Sequence, residues 1–229
     1  MCEDSHGGTV VTVTSAKCSA GGNEYTVYTS LGKFRISGAD YKNLGIPQVG
    51  EDGENVFPCE VHIPYDEYLQ FLADKLGAVR YLEYLLNFGD KSEKALLRKL
   101  KEKEYSPEVS EKALELLKKY GVVNEESVCE KKVARYASEK MYGPKRIRNE
   151  LAAKGFTRDA IDTALESTEV DFGEALDALC KKLVTRLKIT DRKKLTDSLI
   201  RSGYGYGETK TAVDKYLSDE VGDGEEYDY

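Results

Sequence analysis

The spacing of apolar residues divides the chain into a β-rich opening and a longer helical part. Three short segments, 9–14, 25–29 and 33–37, alternate β-branched or aromatic residues with polar ones, and glycine-containing turns separate them. This period of two predicts a small antiparallel meander. A short helix over 38–44 and a fourth strand over 58–62 are predicted next. A sheet of only three or four strands buries little apolar surface by itself. We therefore expect this module to pack against the helices that follow.

From Tyr65 onward, apolar residues recur every three or four positions, which predicts amphipathic helices in three groups of three. In the first group, Ser106 followed by Pro107 predicts the start of the third helix. The third group opens on a stripe of four leucines. These are Leu176, Leu179, Leu183 and Leu187. Asp191 is then predicted to cap the next helix.

One motif occurs once in each group: a leucine or isoleucine, a leucine four residues on, and an aromatic residue five further. The copies are Leu96, Leu100 and Tyr105; Ile147, Leu151 and Phe156; and Leu195, Leu199 and Tyr204. Gly155 and Gly203 stand directly before the aromatic residue in the second and third copies. This regular spacing indicates internal repetition. A single such unit buries its stripe incompletely, so neighbouring units are expected to stack.

The predicted fold is therefore mainly α, with three tandem three-helix repeats in an elongated, curved array behind a small antiparallel β-rich N-terminal domain. The length of 229 residues and the hydrophobic content of 40% suffice for such cores. We place the β-rich domain at 1–64, the repeats at 65–121, 122–169 and 170–220, and an acidic tail at 221–229.

Charge is distributed unevenly along the chain. The formal net charge is −7, but residues 131–210 contain 18 Lys/Arg and 12 Asp/Glu, a net charge of +6, which leaves −13 for the rest. The basic region favours an anionic partner. The acidic residues after Leu217 either solvate the C-terminus or mask that basic region, and the sequence leaves both readings open.

The composition predicts a cytoplasmic protein with reduced thiols and no cofactor. No apolar run approaches the ~20 residues of a membrane helix, and Glu3 and Asp4 stand where a secretion signal would carry positive charge. The five cysteines are odd in number and lack paired spacing, so free thiols are expected. Cys59 and His62 have the spacing of two metal ligands, but without a second pair we expect no metal site. No functional role is predicted for His6.

Two stretches carry a resemblance to a known family. The segment from Tyr142 through Leu151 to Phe156, with Gly121–Glu126 ahead of it and the order of the three repeats, resembles the RecX recombination regulators. The resemblance extends over roughly 66–217. The β-rich opening is similar to the N-terminal extension of RecX proteins from Gram-positive bacteria.

The resemblance implies a regulatory protein and not an enzyme. It implies binding to the RecA recombinase, alone or as a filament on single-stranded DNA, with restraint of ATP hydrolysis and strand exchange, and hence a role in DNA repair, recombination and the SOS response. We expect a monomer that contacts no membrane, with weak direct contact to DNA as a further expectation. Several charged side chains along a helical array could touch successive filament subunits.

Ten cations are the candidate interaction residues. They are Lys145, Arg146 and Arg148 in the second repeat, and Lys181, Lys182, Arg186, Lys188, Arg192, Lys193 and Lys194 in the third. In the second repeat, positive charge at a helix start opposes the helix dipole, so it is expected to add nothing to the fold. These cations either form a solvated face or meet RecA acids or DNA phosphates.

Two other functional classes remain as alternatives. A helical-repeat protein that binds nucleic acid directly is the second hypothesis, because three-helix units resemble helix-turn-helix folds, although the acidic total charge opposes it. An enzyme is the third and weakest hypothesis. The sequence holds no phosphate-binding glycine loop and no nucleophile elbow from which an active site could be built. The repeated aromatic residues Tyr105, Phe156 and Tyr204 are interpreted as core anchors and not as platforms for bases.

Overall fold

The structure, a computed structural model, describes residues 8–48 and 56–218 of the chain. The predicted loop over 45–53 lies partly outside these residues, and the predicted acidic tail over 221–229 lies wholly outside them. Within the described part, the chain is mainly α-helical with one small antiparallel sheet, as predicted.

The sheet contains four strands in the order β3-β2-β1-β4. Their bounds are β1 Thr9–Cys18, β2 Glu24–Thr29, β3 Gly32–Ser37 and β4 Cys59–Ile63. The first three strands form the predicted meander, and β4 pairs antiparallel with β1 on its other side. Strand β1 is four residues longer than predicted, because its second half pairs with the start of β2 from Ser15↔Tyr28 to Cys18↔Tyr25.

The described residues form ten helices. They are α1 Gly38–Asn43, α2 Tyr68–Asn87, α3 Glu93–Glu102, α4 Pro107–Lys119, α5 Glu125–Lys140, α6 Pro144–Ala153, α7 Arg158–Ser167, α8 Phe172–Thr185, α9 Arg192–Arg201 and α10 Tyr206–Ser218. Apart from α1, they are the nine helices that the three-repeat prediction requires. Local signals position their ends. Ser106, Asn124, Thr157 and Asp191 each accept a hydrogen bond from the backbone N–H three residues on, which caps α4, α5, α7 and α9.

Four buried clusters form the cores. The sheet buries Val11, Val13, Val27 and Ile36 together with Leu69 and Leu72 of α2, so the expected packing of the sheet on a following helix is confirmed. Each later cluster contains the leucine or isoleucine pair of one copy of the motif. These pairs are Leu96 and Leu100, Ile147 and Leu151, and Leu195 and Leu199, and all six side chains are 0% exposed. The motif therefore marks the centre of each helical core.

The described chain separates into two compact units. The first comprises the described residues up to Gly89 together with Leu96–Val123, and the second comprises Asp90–Ala95 together with the residues from Asn124 onward. The residues just before and at the start of α3 thus belong to the second unit. The domain boundaries given above and the curvature of the array stay predictions.

One predicted stripe position is wrong. Helix α8 ends at Thr185, and Lys188 adopts a positive φ of 50°. Leu187 therefore lies beyond the helix, where the helical period no longer turns it inward, and its side chain is 61% exposed. Cys180 and Val184 are buried in the stripe with Leu176 and Leu179, and Leu183 packs at its edge.

In the second unit, the loop before α10 contacts the start of α6. The N–H of Gly143 donates to the carbonyl of Ser202 at 2.8 Å, and the N–H of Lys145 donates to the carbonyl of Gly203 at 3.2 Å. The hydroxyl of Tyr204 donates to the carbonyl of Met141 at 3.1 Å. The first two bonds satisfy backbone donors that the start of α6 leaves without an intrahelical partner, and the third satisfies the carbonyl at the C-terminus of α5.

Candidate functional site

The cations of the second repeat lie at the start of α6, as predicted. Ile147 is fully buried, while Lys145 and Arg148 are exposed and Arg146 is half-buried. The helix begins at Pro144, which is suited to the first helical position because its missing N–H would have no intrahelical partner there. The local sequence thus turns the charged side chains outward on either side of one core residue.

The two arginines of this cluster have partners within the second unit. The Arg146 guanidinium lies 4.0 Å from the ring centroid of Tyr142, and its Nε lies 3.8 Å from Glu150. Arg148 forms an ion pair with Asp162 at 2.9 Å. Both arginines therefore have partners within the fold, which the sequence did not predict, while the expectation that these charges add no stability stays a prediction. Among the described residues, Lys145 has no side-chain partner.

The third repeat presents the larger group of cations. All seven candidates on α8, on α9 and between these helices are exposed. Arg192 forms an ion pair with Asp214 of α10. Within the described ranges the other six make no side-chain ion pair or hydrogen bond; they are Lys181, Lys182, Arg186, Lys188, Lys193 and Lys194. An exposed charge without a partner contributes little to stability, so these six are available for binding.

Three of these cations meet in one cleft. Lys181, Lys182 and Arg186 line a cleft of about 330 Å³ together with Met141, Ala178 and Thr185. Lys182 and Arg186, the residue that caps the C-terminus of α8, are four residues apart and therefore lie on the same side of the helix. Like charges gathered in a concave surface raise the local concentration of anions. The cleft therefore suits a carboxylate or a phosphate of a partner.

Sequence reasoning missed a second group of cations, on α5 and just after α6. Lys132, Arg135, Lys140 and Lys154 lie 4.9 to 5.8 Å from the ring centroids of Tyr136 or Phe156. The positions of Arg135 and Lys140 around Tyr136 on one helix are a local signal that could have been used. Lys154 is 18 residues from Tyr136, so its position in the group depends on the tertiary fold.

The repeated aromatic residues are core anchors, as interpreted. Phe156 and Tyr204 are 6% and 2% exposed, and Tyr105 packs partly buried against the core of the first repeat. Burial, aided by the nearby carboxylate of Glu208, raises the pKa of Tyr204 to about 12. Phe156 and Tyr204 are therefore too deeply buried for a base to stack on their rings.

The four cysteines that the structure describes do not form a shared site. Cys18, Cys59, Cys129 and Cys180 are free thiols, as expected, and burial is the main cause that raises the pKa of Cys129 and of Cys180 to about 11. Cys59 and His62 are three positions apart on β4, so their side chains leave opposite faces of the strand. Across residues 8–48 and 56–218, no group of three or more His, Cys, Asp or Glu side chains could hold a metal.

Comparisons with known proteins identify the family. A model described as the first three-helix domain of RecX matches residues 78–117, and one described as the second matches residues 124–165. The regulatory protein RecX of Haemophilus ducreyi is 35% identical over 108 residues, which cover 47% of this chain and 71% of that protein. The chain belongs to the RecX family. Relatives named regulatory protein RecX support a regulatory role for this chain.

Two further comparisons define the extent of the match. The regulatory protein RecX of Actinobacillus pleuropneumoniae is 40% identical over 95 residues, and the chain spans only 62% of the length of that relative. A crystal structure of a regulatory protein RecX covers 91% of this chain and 99% of its own, with a TM-score of 0.67 and 18% identity. That likeness shows a shared fold. In the described part of this chain, no helix has the length and apolar character needed to cross a membrane.

Proposed function

We propose that this RecX-family protein binds the RecA recombinase, or its filament on single-stranded DNA, and mainly inhibits ATP hydrolysis and strand exchange. Family membership supports a regulatory role. The observation that carries the proposal is the cleft on α8, where Lys181, Lys182 and Arg186 have no side-chain partner among the described residues. An acidic segment of RecA would neutralise these charges.

The cleft cations are expected to form solvent-exposed ion pairs with RecA, and each such pair contributes little binding free energy. Each exposed ion pair contributes about 0.5 kcal/mol, so three pairs lost together correspond to roughly a tenfold change in affinity. Charges of this kind also act on the association rate and make binding sensitive to salt. A charged binding surface is consistent with regulation by binding alone, because binding requires neither a nucleophile nor a cofactor.

The test is to measure RecA ATPase on single-stranded DNA with the wild-type chain and with the triple variant Lys181→Gln, Lys182→Gln, Arg186→Gln. We expect inhibition by the wild type and roughly a tenfold higher half-inhibitory concentration for the variant. The matched control replaces Lys42, Lys101 and Lys210 by Gln. These lysines are also exposed and lack a side-chain partner in the described chain, so the control removes the same charge elsewhere.

Two results would contradict the proposal. If the wild type leaves both ATPase and strand exchange unchanged, RecA is not the regulated partner. If the control variant loses as much inhibition as the cleft variant, total charge and not the cleft carries the interaction. A filament regulator should also inhibit RecA at concentrations well below those at which it binds naked duplex DNA, whereas the opposite order favours direct DNA binding as the main activity.

A further inference from the structure

A groove runs along α8 in the second unit. The cleft lined by Lys181, Lys182 and Arg186, called the basic cleft from here on, shares Met141 and Ala178 with a second cleft of about 340 Å³. The second cleft lies between α5 and α8. The two clefts therefore adjoin, and together they follow α8 from the residue that caps its start to the residue that caps its end. At 1.5 Å per residue this length is about 22 Å, or roughly four helical turns.

The walls of this α8 groove have the residue spacing of helix packing. The lining residues of α8 include a series spaced alternately four and three positions apart, which is the spacing at which one helix meets another. The series is Asp171, Ala175, Ala178, Lys182 and Thr185. The opposite wall, formed by Ala134 and Ala137 of α5 with Met141 at its end, has the same kind of spacing. Alanine side chains let a second helix come close, so the groove suits an added α-helix better than an extended peptide.

The two ends of the α8 groove carry opposite charge. Asp171 and Glu174 line it at the start of α8, whereas the basic cleft forms the other end. Asp171 is engaged in capping α8, but Glu174 is exposed and has no side-chain partner in the described chain. Glu174 and Lys181 are about 10 Å apart along the helix, too far for an ion pair. The dipole of α8 explains the order of these charges but not the alanine-lined space between them.

We propose that the α8 groove receives one α-helix of a protein partner, with acidic side chains over the basic cleft and basic side chains over Glu174. A helix is itself stabilised by acids near its N-terminus and bases near its C-terminus. A partner helix of that kind meets both ends of the groove when it lies antiparallel to α8. With RecA as the partner, this inference rests on the proposed function, and it specifies that the acidic segment bound by the basic cleft is helical.

Glu174 gives the inference a sign that attraction by positive charge alone does not share. If the basic surface simply attracted an anionic partner, removal of the negative charge of Glu174 would strengthen binding. In the α8 groove, Glu174 contributes an exposed ion pair to the complex, and reversal of its charge replaces attraction by repulsion. Glu174→Lys should therefore weaken binding about fivefold.

The first experiment measures fluorescence anisotropy of a labelled, designed helical peptide with the full chain and no RecA. A peptide of about 16 residues matches the length of the groove. It carries glutamates in its first turns, lysines in its last turns, and alanine and leucine along one face. Binding should be about fivefold weaker for Glu174→Lys. It should be roughly tenfold weaker for Ala178→Leu, because the larger side chain fills the part that both clefts share.

Two control variants make the same changes outside the groove. Glu126→Lys reverses an exposed acid in the first turn of α5, so it repeats the loss of charge at a helix start. Ala152→Leu enlarges an exposed alanine of α6. Both controls should bind the peptide as the wild type does, and circular dichroism checks that all four variants keep the wild-type helix content.

The second experiment compares the same variants as inhibitors of RecA ATPase on single-stranded DNA. The two groove variants should raise the half-inhibitory concentration by the factors expected for the peptide, and the controls should not. Stronger inhibition by Glu174→Lys would overturn the inference, because it would show attraction by positive charge alone. Unchanged inhibition by Ala178→Leu would also overturn it, while leaving the proposed function intact.

The peptide measurement separates failure of the groove from failure of the proposed function. If the wild type does not inhibit RecA, the proposed function fails, and peptide binding decides whether the groove takes a helix. Absence of peptide binding, or equal binding by the wild type and both groove variants, would overturn the inference. Equal binding of a peptide with the same composition but alternating charges would overturn the assignment of opposite charge to the two ends.

Discussion

At the scale of single residues, the glycine in the third copy of the motif, Gly203, allows a close backbone contact. Gly155 and Gly203 have positive φ values of 84° and 99°. A Cβ at Gly203 would overlap the backbone nitrogen of Arg146 and lie 2.9 Å from the carbonyl oxygen of Gly143. In the first copy of the motif, Glu104 takes the equivalent position with φ 64° and is exposed. The first copy therefore keeps the left-handed backbone conformation of the glycines, but its exposed position leaves space for a side chain.

We expect Gly203→Ala to lower the free energy of unfolding by roughly 2–4 kcal/mol, because it adds a left-handed conformational cost to a steric overlap with α6. Chemical denaturation followed by circular dichroism measures the change. Gly207→Ala is the matched control, since a Cβ there meets nothing within 4 Å and the residue lies in α10. Alanine at 207 should be neutral or slightly stabilising. Equal losses at both positions would contradict the contact.

At the scale of elements, one buried carboxylate joins the starts of three helices. Glu125 is the first residue of α5 and is 9% exposed. Its Oε1 accepts from the N–H of Glu93 at 3.1 Å, and its Oε2 accepts from the hydroxyl of Thr157 at 2.8 Å and more weakly from the Thr157 N–H. Thr157 in turn caps α7, and Glu93 begins α3. The carboxylate thus satisfies donors that these helix starts would otherwise leave unpaired.

Glu125→Ala should therefore destabilise the chain by roughly 2–3 kcal/mol, because it removes the charged acceptor of three part-buried hydrogen bonds. The neighbouring Glu126→Ala is the control. Glu126 also lies in the first turn of α5 but is exposed, so its loss should cost no more than about 0.5 kcal/mol. Hydrogen exchange at the N–H of Glu93 and Thr157 should accelerate only in the Glu125 variant. If both variants unfold alike, the shared carboxylate does not link these helices.

At the scale of the molecule, helix α2 is common to two cores. Its first turns contribute Leu69 and Leu72 to the core of the sheet, and its later turns contribute Ala78 and Leu82 to the core of the first helical repeat. An ion pair of 2.7 Å between Lys75 and Asp40 ties the middle of the helix to α1. The β-rich module therefore covers an apolar part of the helical module.

Removal of residues 1–65 should expose Leu69 and Leu72, which lose about 2 kcal/mol each in burial. We expect a lower midpoint of thermal unfolding and increased binding of a hydrophobic dye. A truncated chain with both leucines replaced by Gln should bind the dye less than the truncated parent. Unchanged dye binding and unfolding after truncation would show that the β-rich module is dispensable for the fold.

The sequence by itself determined the elements and their cores. Apolar spacing and capping residues act within a few positions of the chain, so the three groups of helices, the strands and the buried motif leucines could be predicted. The end of α8 could not, because no glycine or proline marks it and the leucine period continues to Leu187. Boundaries that depend on such weak local signals are decided by packing.

Only the tertiary structure decided which cations are committed to the fold. Arg148 pairs with Asp162, 14 residues away, and Arg192 pairs with Asp214, 22 residues away. The group of cations around Tyr136 likewise needs α5 and the end of α6 to meet. Helical period turns a charged side chain outward but does not specify what it meets there. Charge pairing between elements is a property of their arrangement in space, and that is why the sequence predicted basic faces without distinguishing their paired from their unpaired residues.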